Sequence, residues 1–290
     1  MIGQSVRGLE TAQVQIDITP VDVDLSLAPG ESYDGEFSII NRSTNAIDFR
    51  VTANGFYVKN LAYETTFDDD IALNQIVHWV TFDQTDFSNL KPNDRQNVAY
   101  HIKVPDDAPG GGQYAVLFAT VSSEAVDGSV TIKTDSRVGI KIYAKVAGET
   151  RTGGQVKSVE QPRFYTTPPI ASVAQVKNTG NVDFHSRHEY VVESLFGGEL
   201  FKGSAVYRIM PDTTREVRLE WGETSSIGIF KVHNKISFLG ETQYDKVSIV
   251  VVIPIWLVVI LLMILLSLIG LIVFLISRLI KKNRHQKSNS

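Results

Sequence analysis

Apolar and polar residues alternate with a period of two through most of the first 246 positions. In VGIKIYAKV (138–146), Val138, Ile140, Ile142, Ala144 and Val146 are interleaved with Lys141 and Lys145. That is the pattern of a strand with one buried and one wet face. Similar runs are VQIDIT (14–19), EFSIIN (36–41), IDFRVTA (47–53), HWVTFD (78–83), NVAYHIKV (97–104) and QYAVLFATV (113–121). Between them lie turn-forming stretches: LAPGES (27–32), NRSTNA (41–46), LKPNDR (90–95) and VDGS (126–129). Helical periodicity is scarce. About seven strands with turns between them predict an all-β, immunoglobulin-like β-sandwich built of antiparallel sheets, with a closed barrel as the alternative.

A second series follows: ASVAQVKN (171–178), YVVESLF (190–196), ELFKGSAVYRI (199–209), REVRLEW (215–221) and FKVHNKISF (230–238). Gly197-Gly198 reads as a two-residue hairpin turn. The polar stretch AGETRTGGQVKS (147–158) separates the two series without an apolar face of its own. The expected division is a first β-sandwich domain at 13–147, a linker at 148–156 and a second sandwich at 157–245. Limited echoes link the halves, since Asn41-Arg-Ser-Thr-Asn45-Ala-Ile-Asp-Phe49 resembles Asn178-Thr-Gly-Asn181-Val-Asp-Phe184. Both run strand, Asn-rich turn, strand, which fits two copies of one plan or convergent turn usage.

The alternation ends at Val247. From there to Ser277 no residue is charged, and the run exceeds the roughly 20 apolar residues that cross a bilayer. A transmembrane helix is expected at 247–277, followed by a basic tail at 278–290. Pro254 and Trp256 stand near its start, where an indole prefers the headgroup level, and Arg278, Lys281, Lys282 and Arg284 stand at its end. Those four basic residues, with Lys287, place the tail in the cytoplasm and the residues before Val247 outside the cell. The first residues, MIGQSVRGLETAQVQ, lack the basic start and apolar core of the signal peptide that a large outside domain normally needs, so either the start is truncated or the mature form is numbered.

Charge excludes some partners. All acidic residues precede the helix, and the part outside carries about −9, which disfavours nucleic acid and other polyanions. The chain has no cysteine, hence no disulfide framework or thiolate chemistry. PDDAPGGGQYAVLF (105–118) has three glycines, but they run into a strand without the Lys and Ser/Thr of a phosphate loop, so a structural bend is expected. His185 and His188 fall on opposite faces of a strand and read as two exposed histidines. Asp68-Asp69-Asp70 lacks the glycine-centred pattern of a calcium loop and reads as a solvated turn. The sequon Asn41-Arg42-Ser43 reads as a chance occurrence. Trp79, Phe82, Trp221 and Phe238 alternate with polar neighbours, as core residues do. No nucleophile elbow or metal-protease helix is present, so no catalytic residue, metal site or cofactor is assigned.

In order, LAPGESYDGEFSIINRSTNAIDFRV, LKPNDRQNVAYHIKVPDDAPGGGQYAVLF, VGIKIYAKVAGE, ASVAQVKNTGNVDF and TREVRLEW resemble the WxL-interacting cell-surface protein family of Gram-positive bacteria. The resemblance extends to the apolar helix and basic tail. It implies a non-enzymatic single-pass membrane protein whose first domain contacts peptidoglycan and whose second contacts host or partner surface proteins. No binding residue carries over. Two rivals stand beside this reading: a membrane-tethered chaperone that pairs strand edges with secreted subunits, which requires a long unprotected edge, and a cell-wall enzyme with paired carboxylates in one cleft.

Overall fold

The computed structural model describes residues 14–127, 130–222 and 227–288, with side chains not described at 123–127, 130–134 and 279–288. The chain is two immunoglobulin-like β-sandwiches followed by one long helix. The first sandwich contains β1 (Ile16–Thr19), β2 (Asp22–Leu27), β3 (Ser32–Asn41), β4 (Ile47–Lys59), β5 (Glu64–Phe67), a 3-10 helix (Ala72–Trp79), β6 (Val80–Phe82), β7 (Asp86–Leu90), β8 (Arg95–Lys103), β9 (Gly111–Asp127) and β10 (Val130–Val146). One sheet has the order β1-β3-β8-β6; the other runs β2-β10-β9-β4-β5, with β7 also on β4. The inward residues of both sheets, among them Phe37, Ile39, Val98, Tyr100, Ile102, Leu117, Ile140 and Ile142, form one core. Period-two alternation makes this possible, because every second residue from Val98 to Ile102 on β8 and from Ile140 to Val146 on β10 is buried.

The second sandwich contains β11 (Gly154–Glu160), β12 (Phe164–Tyr165), β13 (Ile170–Asn178), β14 (Phe184–Ser194), β15 (Glu199–Ile209), β16 (Thr214–Trp221), β17 (Gly228–Phe238) and β18 (Glu241–Val252). Its sheets are β11-β13-β16 and β12-β18-β17-β14-β15. The orders β11-β13-β16 and β12-β18-β17-β14 repeat β1-β3-β8 and β2-β10-β9-β4 of the first sandwich, down to a short early strand that joins the last one in parallel: β2 on β10 and β12 on β18. The sheets are therefore not wholly antiparallel, as the alternation alone suggested. Tyr190, Val192, Trp221, Phe230, Val250 and Val252 fill the second core.

The repeated asparagine turns are one structure used twice. Asn41 and Asn178 are fully buried at the ends of β3 and β13. Asn41 Nδ2 donates to the carbonyls of Asn45 (2.8 Å) and Leu90 (2.9 Å), and its Oδ1 accepts the Ser43 N–H at 2.8 Å. Asn178 Nδ2 donates to Val182 (2.8 Å) and Ile209 (3.0 Å), and its Oδ1 accepts the Gly180 N–H at 2.8 Å. An amide side chain suits the place because it supplies two donors and an acceptor where water cannot reach.

By contacts the chain forms two units. The first comprises Met1–Gln155 with Lys177–Phe184 and Arg208–Arg215; the second comprises Val156–Val176, His185–Tyr207 and Glu216–Ser290. The stretch expected as a linker is not loose. Strand β11 begins inside it at Gly154, Asn181 Nδ2 donates to the Glu149 carbonyl at 2.8 Å, and the Arg151 N–H donates to Asn181 Oδ1 at 2.6 Å. Within the same first unit, Arg208 forms ion pairs with Asp183 and with Asp24 (2.8 Å) while its guanidinium lies 3.7 Å from the Tyr143 ring centroid.

Other expectations shift in detail. His78 and Trp79 belong to the 3-10 helix, whose Ile76 and Trp79 face the core. The β14–β15 connection spans residues 195–198 rather than two glycines, although Gly197 and Gly198 both have positive φ. The VDGS turn falls partly, and the N-terminal stretch up to residue 13 wholly, outside the described residues. The apolar run from Val247 is divided, because Val250 and Val252 are core residues of β18. Helix α1 (Ile255–Ser288) starts only after Pro254, and its segment Ile255–Arg278 is long and apolar enough to cross a membrane. Proline, lacking an N–H, ends the strand, and its carbonyl accepts the Leu257 N–H at 3.0 Å.

Candidate functional site

Both sandwiches carry an incompletely paired last strand: in the second, β12 meets β18 only at Val251 and Val252, and in the first the strand concerned, β10, lies beside a groove. Along one side, β10 pairs with β9 from Val130 to Val146. Along the other, β2 covers only Lys141–Val146. The reason lies upstream: β1 is spent on the opposite sheet, pairing with β3, and the chain crosses over at Pro20 and Val21 before β2 begins. Among the described residues no strand pairs with β10 on that side between Val130 and Ile140. Among the described residues β4 likewise covers the other side of β9 only as far as Thr120.

Strand geometry tells which atoms this leaves open. The Lys141 N–H donates to the Val21 carbonyl at 3.0 Å, so it points toward β2. Main-chain directions alternate along a strand, so Asp135, Arg137 and Gly139 direct their N–H and C=O groups out of the same edge, whereas Ser136 and Val138 serve the ladder to β9. An extended polypeptide laid on this edge would find a row of donors and acceptors at strand spacing.

Side chains shape the two faces. Between β1 and the open part of β10 lies a groove of about 410 Å³ lined by Val14, Gln15, Ile16, Asp17, Arg42 and residues 136–138. Val14, Ile16 and Val138 are half-buried against the first core and form its apolar floor. Arg42 Nε bonds Asp17 Oδ2 at 2.7 Å at the rim. On the outer face the Arg137 guanidinium lies over the rings of Phe67 (4.9 Å) and Phe118 (4.5 Å), which meet edge to face at 5.1 Å. This holds the Arg137 side chain off the edge. Ser122 Oγ donates to Asp135 Oδ1 at 2.7 Å and ties β9 to β10 there.

The arrangement offers hydrogen bonding and apolar contact, not covalent chemistry. Among the described residues no group of three or more His, Cys, Asp or Glu is placed to hold a metal ion. His188, expected exposed, is fully buried, because Phe184, Ser186, His188, Tyr190 and Val192 form the inward face of β14. Its Nε2 lies 3.1 Å from Asn234 Oδ1, and burial lowers its pKa. His185 is exposed on the other face. The acidic run is structural: Asp69 Oδ1 accepts the Gly55 N–H at 2.5 Å, and Asp68 Oδ1 accepts the Asp70 N–H at 3.0 Å. Gly111 opens β9 with φ +130°, and the Gly112 N–H donates to the Asn181 carbonyl at 2.8 Å, so the glycines make a bend into a strand. Trp79, Trp221 and Phe238 are buried and Phe82 is half-buried.

One titratable cluster went unnoticed in the sequence. His101 Nδ1 meets Asp34 Oδ1 at 2.6 Å and its Nε2 meets Asp83 Oδ1 at 2.8 Å, and these two bonds raise its pKa. Register brings the three together, since Asp34 pairs with His101 and Thr81 pairs with His101 from the other side. No local motif could have announced this. Of the anchoring residues, Pro254 is buried between strand and helix, Trp256 is 58% exposed at the helix start, and Arg278 ends the apolar segment. The side chains of Lys281, Lys282 and Arg284 lie outside the described residues.

No family model matches the chain, and no curated protein matches it. Among solved structures, the chain is similar to the class 5 fimbriae chaperone CfaA, at 10% identity and a TM-score of 0.40, covering 83% of this chain and 100% of that one. It is similar also to a structure of the Salmonella enterica SafA pilin in complex with the SafB chaperone, at 10% identity and a TM-score of 0.39, covering 84% and 98%. A third is the CsuC–CsuE chaperone–tip adhesion subunit pre-assembly complex of Acinetobacter baumannii, at 10% identity and a TM-score of 0.39, covering 81% and 98%. Overlaps this loose add no argument about what the edge binds.

Proposed function

We propose that the chain is a non-enzymatic, single-pass membrane protein whose first sandwich binds an extended segment of another envelope or secreted polypeptide by adding it as a strand to β10. The observation that carries this reading is the open edge at Asp135, Arg137 and Gly139 beside a groove with an apolar floor. Strand addition draws affinity from main-chain hydrogen bonds and specificity from alternate side chains, so the favoured partner segment alternates apolar residues, facing Val14, Ile16 and Val138, with polar ones. This is the strand-edge reading of the sequence, set in the membrane-anchored envelope context that the family resemblance implies. Helix α1 is the anchor, Trp256 sits at the headgroup level, and the sandwiches lie outside the cell, with Arg278 and the basic tail inside.

Peptidoglycan contact through the first sandwich is the second reading. It calls for exposed aromatic platforms, because bulk charge is unfavourable. The aromatics singled out in the sequence are buried or half-buried, which favours the polypeptide reading.

The test uses the full chain in detergent micelles and a panel of synthetic extended peptides with alternating apolar residues, read by fluorescence polarisation. Arg137→Pro removes an edge donor that the β9 ladder does not use, whereas Arg137→Ala removes only the side chain. The expected result is binding by the wild type and Arg137→Ala and its loss in Arg137→Pro. Equal binding by all three, or peptides ignored while purified peptidoglycan is retained, would refute the assignment.

A further inference from the structure

Val206 on β15 and Leu239 at the β17–β18 turn lie elsewhere, but several exposed large apolar residues of the second unit collect at one end of one sheet. The strand register locates them. Phe164 on β12 is opposite Val251 of β18, and Ile229 on β17 is opposite the same Val251. Ser194, the last residue of β14, is opposite Phe230, so the loop that follows it turns at this same end of the sheet. That loop carries Phe196, which is 97% exposed, and Leu200 follows at the start of β15. Phe164 is 74% exposed. Three chain segments far apart in sequence thus each leave a large apolar side chain in the open at one end of one sheet.

The same end is where the chain leaves for helix α1. Val252 closes β18, and Ile253 and Pro254 alone separate it from Ile255. This connection is held, with the Ile253 N–H donating to the Tyr165 carbonyl at 2.9 Å and Pro254 buried. A two-residue, hydrogen-bonded connector keeps this end of the sandwich within a few residues' reach of the point where the helix enters lipid. Farther along the outer face β17 turns polar at Lys231, His233 and Lys235, while β18 keeps the exposed Ile249 and Val247 opposite the first two and turns polar at Asp245. The apolar character therefore ends about halfway along β18.

We propose that this end of the second sandwich is a membrane-docking surface, with Phe164, Phe196, Leu200 and Ile229 inserted among the lipid headgroups around the emerging helix. The proposal rests on the reading of α1 as membrane-spanning. The occupant is lipid because this end of the sheet is joined, through a fixed connector, to a segment whose own side chains need hydrocarbon, and because large apolar side chains exposed on β12, β17 and the β14–β15 hairpin at that end need a cover. Docking sets the second sandwich down on the bilayer instead of leaving it on a free tether.

The test exploits the absence of cysteine from the chain. Single-cysteine full-length variants carry a polarity-sensitive fluorophore and are reconstituted into vesicles of phosphatidylcholine and phosphatidylglycerol containing shallow or deep doxyl-labelled lipids. Reporters are Phe196→Cys and Ile229→Cys at the proposed surface, with Leu200→Cys as a second position on the same patch. Gln243→Cys serves at the opposite end of β18 and Leu262→Cys within the helix. The expected result is strong quenching of the surface reporters by shallow doxyl lipids, at least about twofold above Gln243→Cys, with Leu262→Cys quenched by deep ones. Surface reporters no more quenched than Gln243→Cys, while Leu262→Cys is quenched, would overturn the docking and spare the anchor. An unquenched Leu262→Cys would overturn the anchor and the docking with it. Reporters shielded from aqueous iodide but not quenched by lipid would mean that protein covers the patch, which also overturns it.

Discussion

Replacing Asn178 by alanine should destabilise the protein far more than its size suggests. The side chain is fully buried and makes three hydrogen bonds, all in buried surroundings. Alanine leaves the Val182 and Ile209 carbonyls short of a donor and the Gly180 N–H short of an acceptor. At about 1 to 1.5 kcal/mol for each bond lost in the interior, the expected cost is about 3–4 kcal/mol. The equivalent Asn41→Ala change breaks one buried and two part-buried bonds and should cost less, about 2–3 kcal/mol. Urea unfolding in detergent, followed by tryptophan fluorescence, reads both values, because Trp79 and Trp221 are buried in the two cores. A loss below about 0.5 kcal/mol for Asn178→Ala would mean that the turn finds other partners and that the repeated motif is not a stabilising device.

Further outcomes are expected elsewhere. Arg208→Met should lose about 3–5 kcal/mol in the same assay, because it leaves Asp183, 13% exposed, without its ion-pair partner; adding Asp183→Asn should restore part of the loss. Gly111→Ala should cost about 1–3 kcal/mol, since φ +130° is a conformation that a Cβ resists. The two perturbed histidines should act in opposite directions. His101, its pKa raised by Asp34 and Asp83, contributes stability that is present below the unfolded value of 6.5 and lost as pH rises through its folded value. His188, its pKa lowered by burial, contributes stability that is present above 6.5 and lost as pH falls through the unfolded value toward the folded one. Unfolding midpoints of His101→Gln and His188→Gln across this range should flatten opposite limbs of the profile, and unchanged limbs would refute the assignments.

The strands and their faces were legible because the period of two survives wherever one face of a sheet is wet, as in Val138 to Val146. What depended on pairing was not. Nothing in AGETRTGGQVKS marks Gly154 as the start of a strand, since its partners lie on β13. The buried state of His188 was hidden because its strand neighbours Arg187 and Glu189 make the stretch look solvated, while alternation hides every second residue. Val247 to Val252 read as membrane helix on composition alone, because a doubly used apolar run, core strand first and anchor after, has no internal seam except Pro254. The candidate edge was invisible for a different reason. The open stretch is defined by where β2 begins, at Asp22 opposite Lys141, which is a property of two segments more than a hundred residues apart.

The most direct measurement of the central claim is residue-resolved amide exchange along β10 in the full chain. In the free protein the N–H groups of Asp135, Arg137 and Gly139 should exchange fast and those of Ser136 and Val138 slowly, because only the latter are spent on β9. A bound alternating peptide should then slow the three fast amides selectively. Protection that is uniform in the free protein, or peptide binding that leaves Asp135, Arg137 and Gly139 exchanging as before, would contradict strand addition at this edge.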